Sequence, residues 1–131
     1  MLIKADMYAA GSDIETLPWE ELWSNPDPSK SFDAQSIYTS VQDIRASFKY
    51  LKCVCRYTIE GPQANYYFEV IVNVLDQYTN NIQFNILGDV RYYRELVIDY
   101  TTGKIDVGVC AFSGGAVNHV LIPYKIYGLR R

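Results

Sequence analysis

With 131 residues the chain fits one domain and can bury about two thirds of its unfolded surface, so neither a metal nor a disulfide is required for stability. Apolar residues make up 49 %, aromatics 15 % with twelve tyrosines, and charged residues 21 %, which excludes a disordered chain. A net charge of -3, a pI near 5.0 and no Lys/Arg run before Arg130-Arg131 exclude a broad basic surface for nucleic acid or anionic lipid.

The start, Met1-Leu2-Ile3-Lys4-Ala5-Asp6, lacks the apolar region of a signal peptide, and no window approaches the roughly eighteen apolar residues of a membrane span. Neither export by that route nor a membrane location is expected. Residues 1–16, with the small polar connector Ala9-Ala10-Gly11-Ser12-Asp13, read as an N-terminal arm or an edge strand. Trp19, Leu22 and Trp23 supply apolar area for a first strand. Asn25-Pro26-Asp27-Pro28 must end it, because proline has no N–H to donate and restricts the residue before it. A second strand begins at Phe32 and Ala34 and runs through Ser36-Ile37-Tyr38-Thr39, rich in β-branched and aromatic residues.

From Asp43 the apolar positions Ile44, Ala46, Phe48 and Tyr50 repeat every second residue. After Leu51 the phase changes to Cys53, Cys55, Tyr57 and Ile59, which predicts a bulge or bend near Tyr50-Leu51. Glu60-Gly61-Pro62-Gln63 breaks the chain. In residues 66–76, YYFEVIVNVLD, both alternating faces are largely apolar, the pattern of a central strand. A turn at Tyr78-Thr79-Asn80-Asn81 leads to a strand through Ile82, Phe84 and Ile86 that Gly88-Asp89 closes. The clearest hairpin follows: Leu96, Ile98 and Tyr100 alternate before Thr101-Thr102-Gly103, and Ile105, Val107, Val109 and Ala111 after it, all on one buried face. Ser113-Gly114-Gly115 reads as a loop. The last strand sets Val120, Ile122, Tyr124 and Ile126 on one side, with Pro123 demanding an edge position or a bulge.

About seven to eight short strands with turn residues between them predict an all-β chain, an antiparallel β-sandwich of jelly-roll-like type, in a single domain over 1–131. The odd count of three cysteines, with Cys53 and Cys55 two apart on one strand face, fits reduced thiols filling space. One further cysteine and one histidine do not complete a metal site around that pair, and no cofactor is expected.

Chemistry is sparse in the pattern, and an enzyme is not expected. His119 is the only histidine, and no nucleophile elbow, zinc motif or phosphate loop accompanies it. Glu20 and Glu21 are adjacent on a strand and so point to opposite faces. Asp99 and Asp106 flank the hairpin, where they can approach each other or guard an edge against aggregation. The tyrosine pairs Tyr66-Tyr67 and Tyr92-Tyr93 are the candidate recognition or interface residues: one ring of each pair must leave the buried side, where a flat ring with a hydroxyl suits a saccharide or a protein partner.

Two stretches carry a resemblance. Leu22-Trp23, Asn25-Pro26 and Phe32 with Ala34-Gln35-Ser36-Ile37, together with Ile122-Pro123 and Ile126-Tyr127-Gly128, resemble a family of small β-rich proteins from the tail and baseplate regions of bacteriophages and prophages of Gram-positive hosts. Asp33 departs from the small residue of that pattern, and Cys53 and Cys55 lie outside it. The resemblance implies a virion component, structural or adhesive and without catalysis. It would be assembled in the host cytoplasm as a homo-oligomer with other tail proteins, and a host-surface glycan is a candidate ligand. The competing reading is a small acidic binding or inhibitor protein, an immunity or anti-defence factor acting on a basic partner.

Overall fold

The computed structural model describes residues 17–57, 66–75, 80–87 and 90–131. These hold β1 (Glu20–Ser24), β2 (Gln35–Tyr38), one helical turn α1 (Ile44–Ser47), β3 (Phe48–Tyr57), β4 (Tyr66–Asn73), β5 (Asn81–Leu87), β6 (Arg91–Asp99), β7 (Lys104–Phe112), the two-residue β8 (Gly115–Ala116) and β9 (Ile122–Arg130). All strand pairs are antiparallel. A four-stranded sheet in the order β1-β9-β3-β4 faces a five-stranded sheet in the order β2-β7-β6-β5, with β8 added to β7. The expected β-sandwich is the fold.

Its core lies between the two inner faces. Phe48, Leu51, Cys53, Cys55 and Ile126 come from one sheet, and Phe84, Leu96, Ile98, Ile105 and Cys110 from the other, all fully buried. Each large aliphatic or aromatic side chain so removed from water contributes about 1.5–3 kcal/mol. Two glycines are dictated by the backbone. A Cβ at Gly128 would stand 2.6 Å from Phe48 Cδ1 and 2.9 Å from Leu22 Cδ1. Gly103 turns the β6–β7 hairpin at φ +75°, with Val41 O where a Cβ would go.

Several expectations fall into place. The strand through Leu22 and Trp23 ends at Asn25, whose Nδ2 donates to Pro123 O at 2.8 Å. The phase change at Tyr50-Leu51 coincides with a register shift between Phe48 and Tyr50 against β9, so Phe48 and Leu51 are both buried while Tyr50 is exposed. Cys53, Cys55 and Cys110 are buried thiols. Burial alone pushes the Cys53 thiol up to about 12, and Cys55 also reaches about 12.

Others are corrected. The strand expected from Asp43 begins only at Phe48; before it Asp43 caps a helical turn by accepting from Ala46 N–H at 3.2 Å. Phe32 precedes β2 and is buried from a loop. The Val109 and Ala111 phase is reversed. A bulge in β7, where Gly108 and Val109 stand opposite Glu95 between the Arg94 and Leu96 pairs, swings Cys110 inward and leaves Val109 exposed. β9 is a central strand; Pro123 is accommodated by the bulge option, since the register against β3 shifts between Val54 and Cys55 there.

The largest correction concerns β4. It lies at an edge, paired only with β3 among the described strands, and its second apolar row (Tyr67, Ile71 and Leu75) faces out. The expected arm at 1–16, the break at Glu60-Gly61-Pro62-Gln63, the Tyr78-Thr79 part of the next turn and Gly88-Asp89 lie outside the described residues.

Candidate recognition surface

Period-two alternation decides what the four-stranded sheet shows to the outside. With Cys53 and Cys55 pointing in, Tyr50, Lys52, Val54 and Arg56 point out from β3. Register then aligns Ile71, Glu69 and Tyr67 of β4 with Lys52, Val54 and Arg56, and Leu129, Tyr127 and Lys125 of β9 with Tyr50, Lys52 and Val54. Trp19 and Glu21 join this face from β1 and the residue before it. The outer side is therefore mostly aromatic and aliphatic.

Lys52 sits at its centre, only 8 % exposed. Its Nζ lies 4.8 Å from the Trp19 ring centroid, 5.0 Å from that of Tyr127 and 3.8 Å from Glu69 Oε2. The ammonium is sandwiched by π faces, and its stem covers apolar surface. Beside it Tyr67 packs on Tyr124 with centroids 4.9 Å apart. Lys125 Nζ is 3.0 Å from Glu21 Oε1, and the hydrogen bond to Glu21 holds the lysine pKa above its ordinary value. A shallow apolar hollow of about 320 Å³ opens between Leu17, Trp19, Tyr50, Ile71 and Leu129.

The outer face of the five-stranded sheet is of another kind. Asn81, Gln83 and Asn85 alternate outward along β5. Arg91 donates to Asn85 Oδ1 at 2.9 and 3.1 Å and lies over the Tyr93 ring at 4.5 Å. Ser36 Oγ donates to Asp106 Oδ1 at 2.5 Å, and Lys104 Nζ is 3.6 Å from the same oxygen. A polar hollow of about 420 Å³ lies beside Arg45, Asp99, Lys104 and Asp106. Its charged groups are already engaged: Asp99 accepts from Thr101 and Thr102, and Arg45 donates to Val74 O and covers Tyr100.

The four candidate tyrosines are not brought together. Tyr67 is half-exposed on the outer face of the four-stranded sheet. Tyr66, next to it and paired with Tyr57, is exposed at the strand end despite its inward phase. Tyr92 is half-buried inward against Phe112, 5.7 Å between centroids, and Tyr93 belongs to the opposite outer face. Asp99 and Asp106 serve separate partners instead of meeting. His119 is exposed on the loop before β9. Among the described residues no group of three His, Cys, Asp or Glu side chains gathers to hold a metal ion.

Two elements escaped sequence reading. Trp19, Lys52, Tyr124 and Tyr127 form the outer platform, and only the register of β9 on β3 joins them. Arg94 is fully buried and donates to Phe32 O at 2.9 Å, Gly108 O at 2.8 Å, Asn118 O at 3.3 Å and Val120 O at 3.2 Å. It gathers carbonyls around Leu121, which holds a left-handed φ of 52°. Its signal was an arginine in an otherwise inward strand phase, Tyr92, Arg94, Leu96. The chain matches no protein-family model, no curated protein and no solved structure.

Proposed function

We propose that the protein works through its surfaces, as a structural or adhesive component of a bacteriophage tail or baseplate, assembled in the host cytoplasm and retained in the virion. The observation that supports this reading is the outer face of the four-stranded sheet, where Trp19, Tyr67, Ile71 and Tyr127 form an aromatic and aliphatic surface. Interfaces favour such residues at their centre and exclude charge there, and the central lysine, Lys52, is drawn under the rings. The resemblance of the Leu22–Ile37 and Ile122–Gly128 stretches to tail-region proteins supplies the biological setting. Tyr67 and its neighbours offer ring faces to another tail protein or to a host-surface glycan.

The test is composition of particles. Phage released after prophage induction of the source strain is purified by density gradient and its proteins identified by mass spectrometry. The chain is expected at a fixed ratio to the tail proteins. Recovery only in the cytoplasm, bound to a basic partner, would replace this reading by the inhibitor one.

A further inference from the structure

Sheet edges are templates for another chain, and proteins blunt them with short strands, bulges, prolines and charges. Three of the four edges here are blunted. β1 has five residues, a bulge between Glu21 and Trp23, and two carboxylates. β2 has four residues. β5 is longer, but its outward row of Asn81, Gln83 and Asn85 is polar and crossed by Arg91. β4 alone runs eight residues without a bulge, a proline or a lysine, and Glu69 is its only charge. No described strand pairs with its outer edge.

We propose that β4 pairs antiparallel with β4 of a second copy about a two-fold axis through Ile71, joining the two four-stranded sheets into one continuous sheet. This rests on the reading of the protein as one that works through its surfaces, and it names the partner. A two-fold axis normal to the sheet keeps outer residues opposite outer ones, so few registers are open. Centring on Glu69 sets carboxylate against carboxylate, and centring on Val70 sets Glu69 against Ile71. Centring on Ile71 sets Ile71 against Ile71 and Glu69 against Asn73 on the outer face, and brings Tyr67 beside Leu75 of the turn that follows β4. It sets Val70 against Val72 on the inner one, with Phe68 beside Val74 of the same turn. Asn73 already accepts from Leu75 N–H through Oδ1 at 2.9 Å, which leaves its NH₂ to donate to the Glu69 carboxylate. Tyr67, Ile71 and Leu75, at 48, 44 and 52 % exposure, are the apolar residues this register covers. Main-chain bonds along the edge supply affinity, and these side-chain pairs supply register.

Cysteine cross-linking with sedimentation equilibrium tests the register. The native thiols are buried and do not compete. Ile71→Cys places two sulfurs directly opposite and is expected to give a disulfide-linked dimer on mild oxidation. Glu69→Cys sets them about 13 Å apart along the strand and is expected to give none. The wild-type chain should sediment at twice its 15.0 kDa mass and Ile71→Lys at 15.0 kDa, with an unchanged circular dichroism spectrum. A chain at 15.0 kDa at every concentration overturns the proposal, whether the edge is then open or held by residues 1–16. So does a dimer that Glu69→Cys links as well as Ile71→Cys. A monomer still found in particles overturns this pairing and leaves the tail reading standing; a cross-linked dimer absent from particles does the reverse.

Discussion

Arg94 and Lys52 are both cationic side chains withdrawn from water, at 0 % and 8 % exposure, yet what satisfies them differs. Around Arg94 the sandwich interior offers backbone carbonyls from three separate segments: the loop before β2, the middle of β7, and the loop before β9. Around Lys52 the outer face offers two aromatic rings and a carboxylate at 3.8 Å. The guanidinium's planar fork of donors can satisfy several fixed acceptors at once, whereas an ammonium is a compact charge on a flexible stem. The inner cation therefore binds the fold together. The outer one shields a surface without determining the fold.

Removing each charge without removing its length separates these roles, and Arg94→Met should have the larger effect. Four carbonyls lose this donor, those of Phe32 and Val120 in buried hydrogen bonds, and breaking a buried charged cluster in this way costs about 3–5 kcal/mol. Part of that loss is offset because Nε has no acceptor among the described residues, so the wild-type site is itself imperfect. Urea denaturation should show a midpoint far below wild type, and Arg94→Lys should recover only part of it, since one ammonium cannot reach all the carbonyls. A midpoint unchanged in Arg94→Met would mean that the loops at Phe32 and Asn118 are held by packing and by their own hydrogen bonds, Phe32 N–H to Asn118 O and Asn118 Nδ2 to Asp33 Oδ1.

The interior around Arg94 also sets a pH limit. Cys53 and Cys55 are raised to about 12 from an ordinary value near 9.0, chiefly by desolvation. The unfolded chain then loses thiol protons at lower pH than the native one. Stability is complete below about pH 9 and falls as pH rises toward 12, because there the native state binds more protons. Urea midpoints measured upward from neutral pH should decline through that window, and the decline should shrink in Cys53→Ala relative to its own neutral value. A thiol reagent at neutral pH should react with the native protein only as fast as it opens.

This division also explains what could be read in advance. The inner faces were legible because burial imposes a period of two: Cys53 and Cys55, Leu96 and Ile98, and Ile105 and Val107 occupy the positions that alternation predicts. β4 misled for the same reason. Tyr67, Ile71 and Leu75 make a second apolar row, and a row that covers a surface has the same pattern as one that enters a core. The Val109 phase was lost to a bulge opposite Arg94 and Leu96, a feature of pairing that one strand's sequence does not carry. The outer platform was illegible because Lys52 and Tyr127 come from two strands, and Trp19 from the residue before a third, whose adjacency exists only in the folded sheet.

Lys52→Met should change far less than Arg94→Met. Its cation–π contacts are worth roughly 0.5–2 kcal/mol, and Glu69 at 44 % exposure adds little. A methionine stem keeps the apolar contacts and needs no desolvation, so the net shift is expected within about 1 kcal/mol. The visible consequence should be association: without the ammonium the centre of the outer face between Trp19 and Tyr127 becomes apolar, and the variant should self-associate or precipitate at lower concentration in light scattering. A large loss of stability with unchanged solubility would show that Lys52 ties the fold as Arg94 does.

The smallest stability change and the sharpest functional one are expected at Tyr67. Its ring packs on Tyr124 at 4.9 Å on a half-exposed face, and an aromatic pair there contributes about 0.5–1.5 kcal/mol. Tyr67→Ala should therefore melt only slightly below wild type while losing partner or glycan binding, since exposed aromatic anchors carry most of an interface's energy. Tyr92 is the control, because it packs inward against Phe112 and its truncation opens space beside the core. Tyr92→Ala should lower the melting temperature more than Tyr67→Ala and leave binding by the folded fraction intact. Binding assays on purified tail proteins and cell-wall material, run beside thermal melts, give both readouts on the same samples. If Tyr67→Ala binds like wild type and Tyr92→Ala does not, the aromatic face of the four-stranded sheet is a covering layer and recognition belongs to the polar sheet opposite.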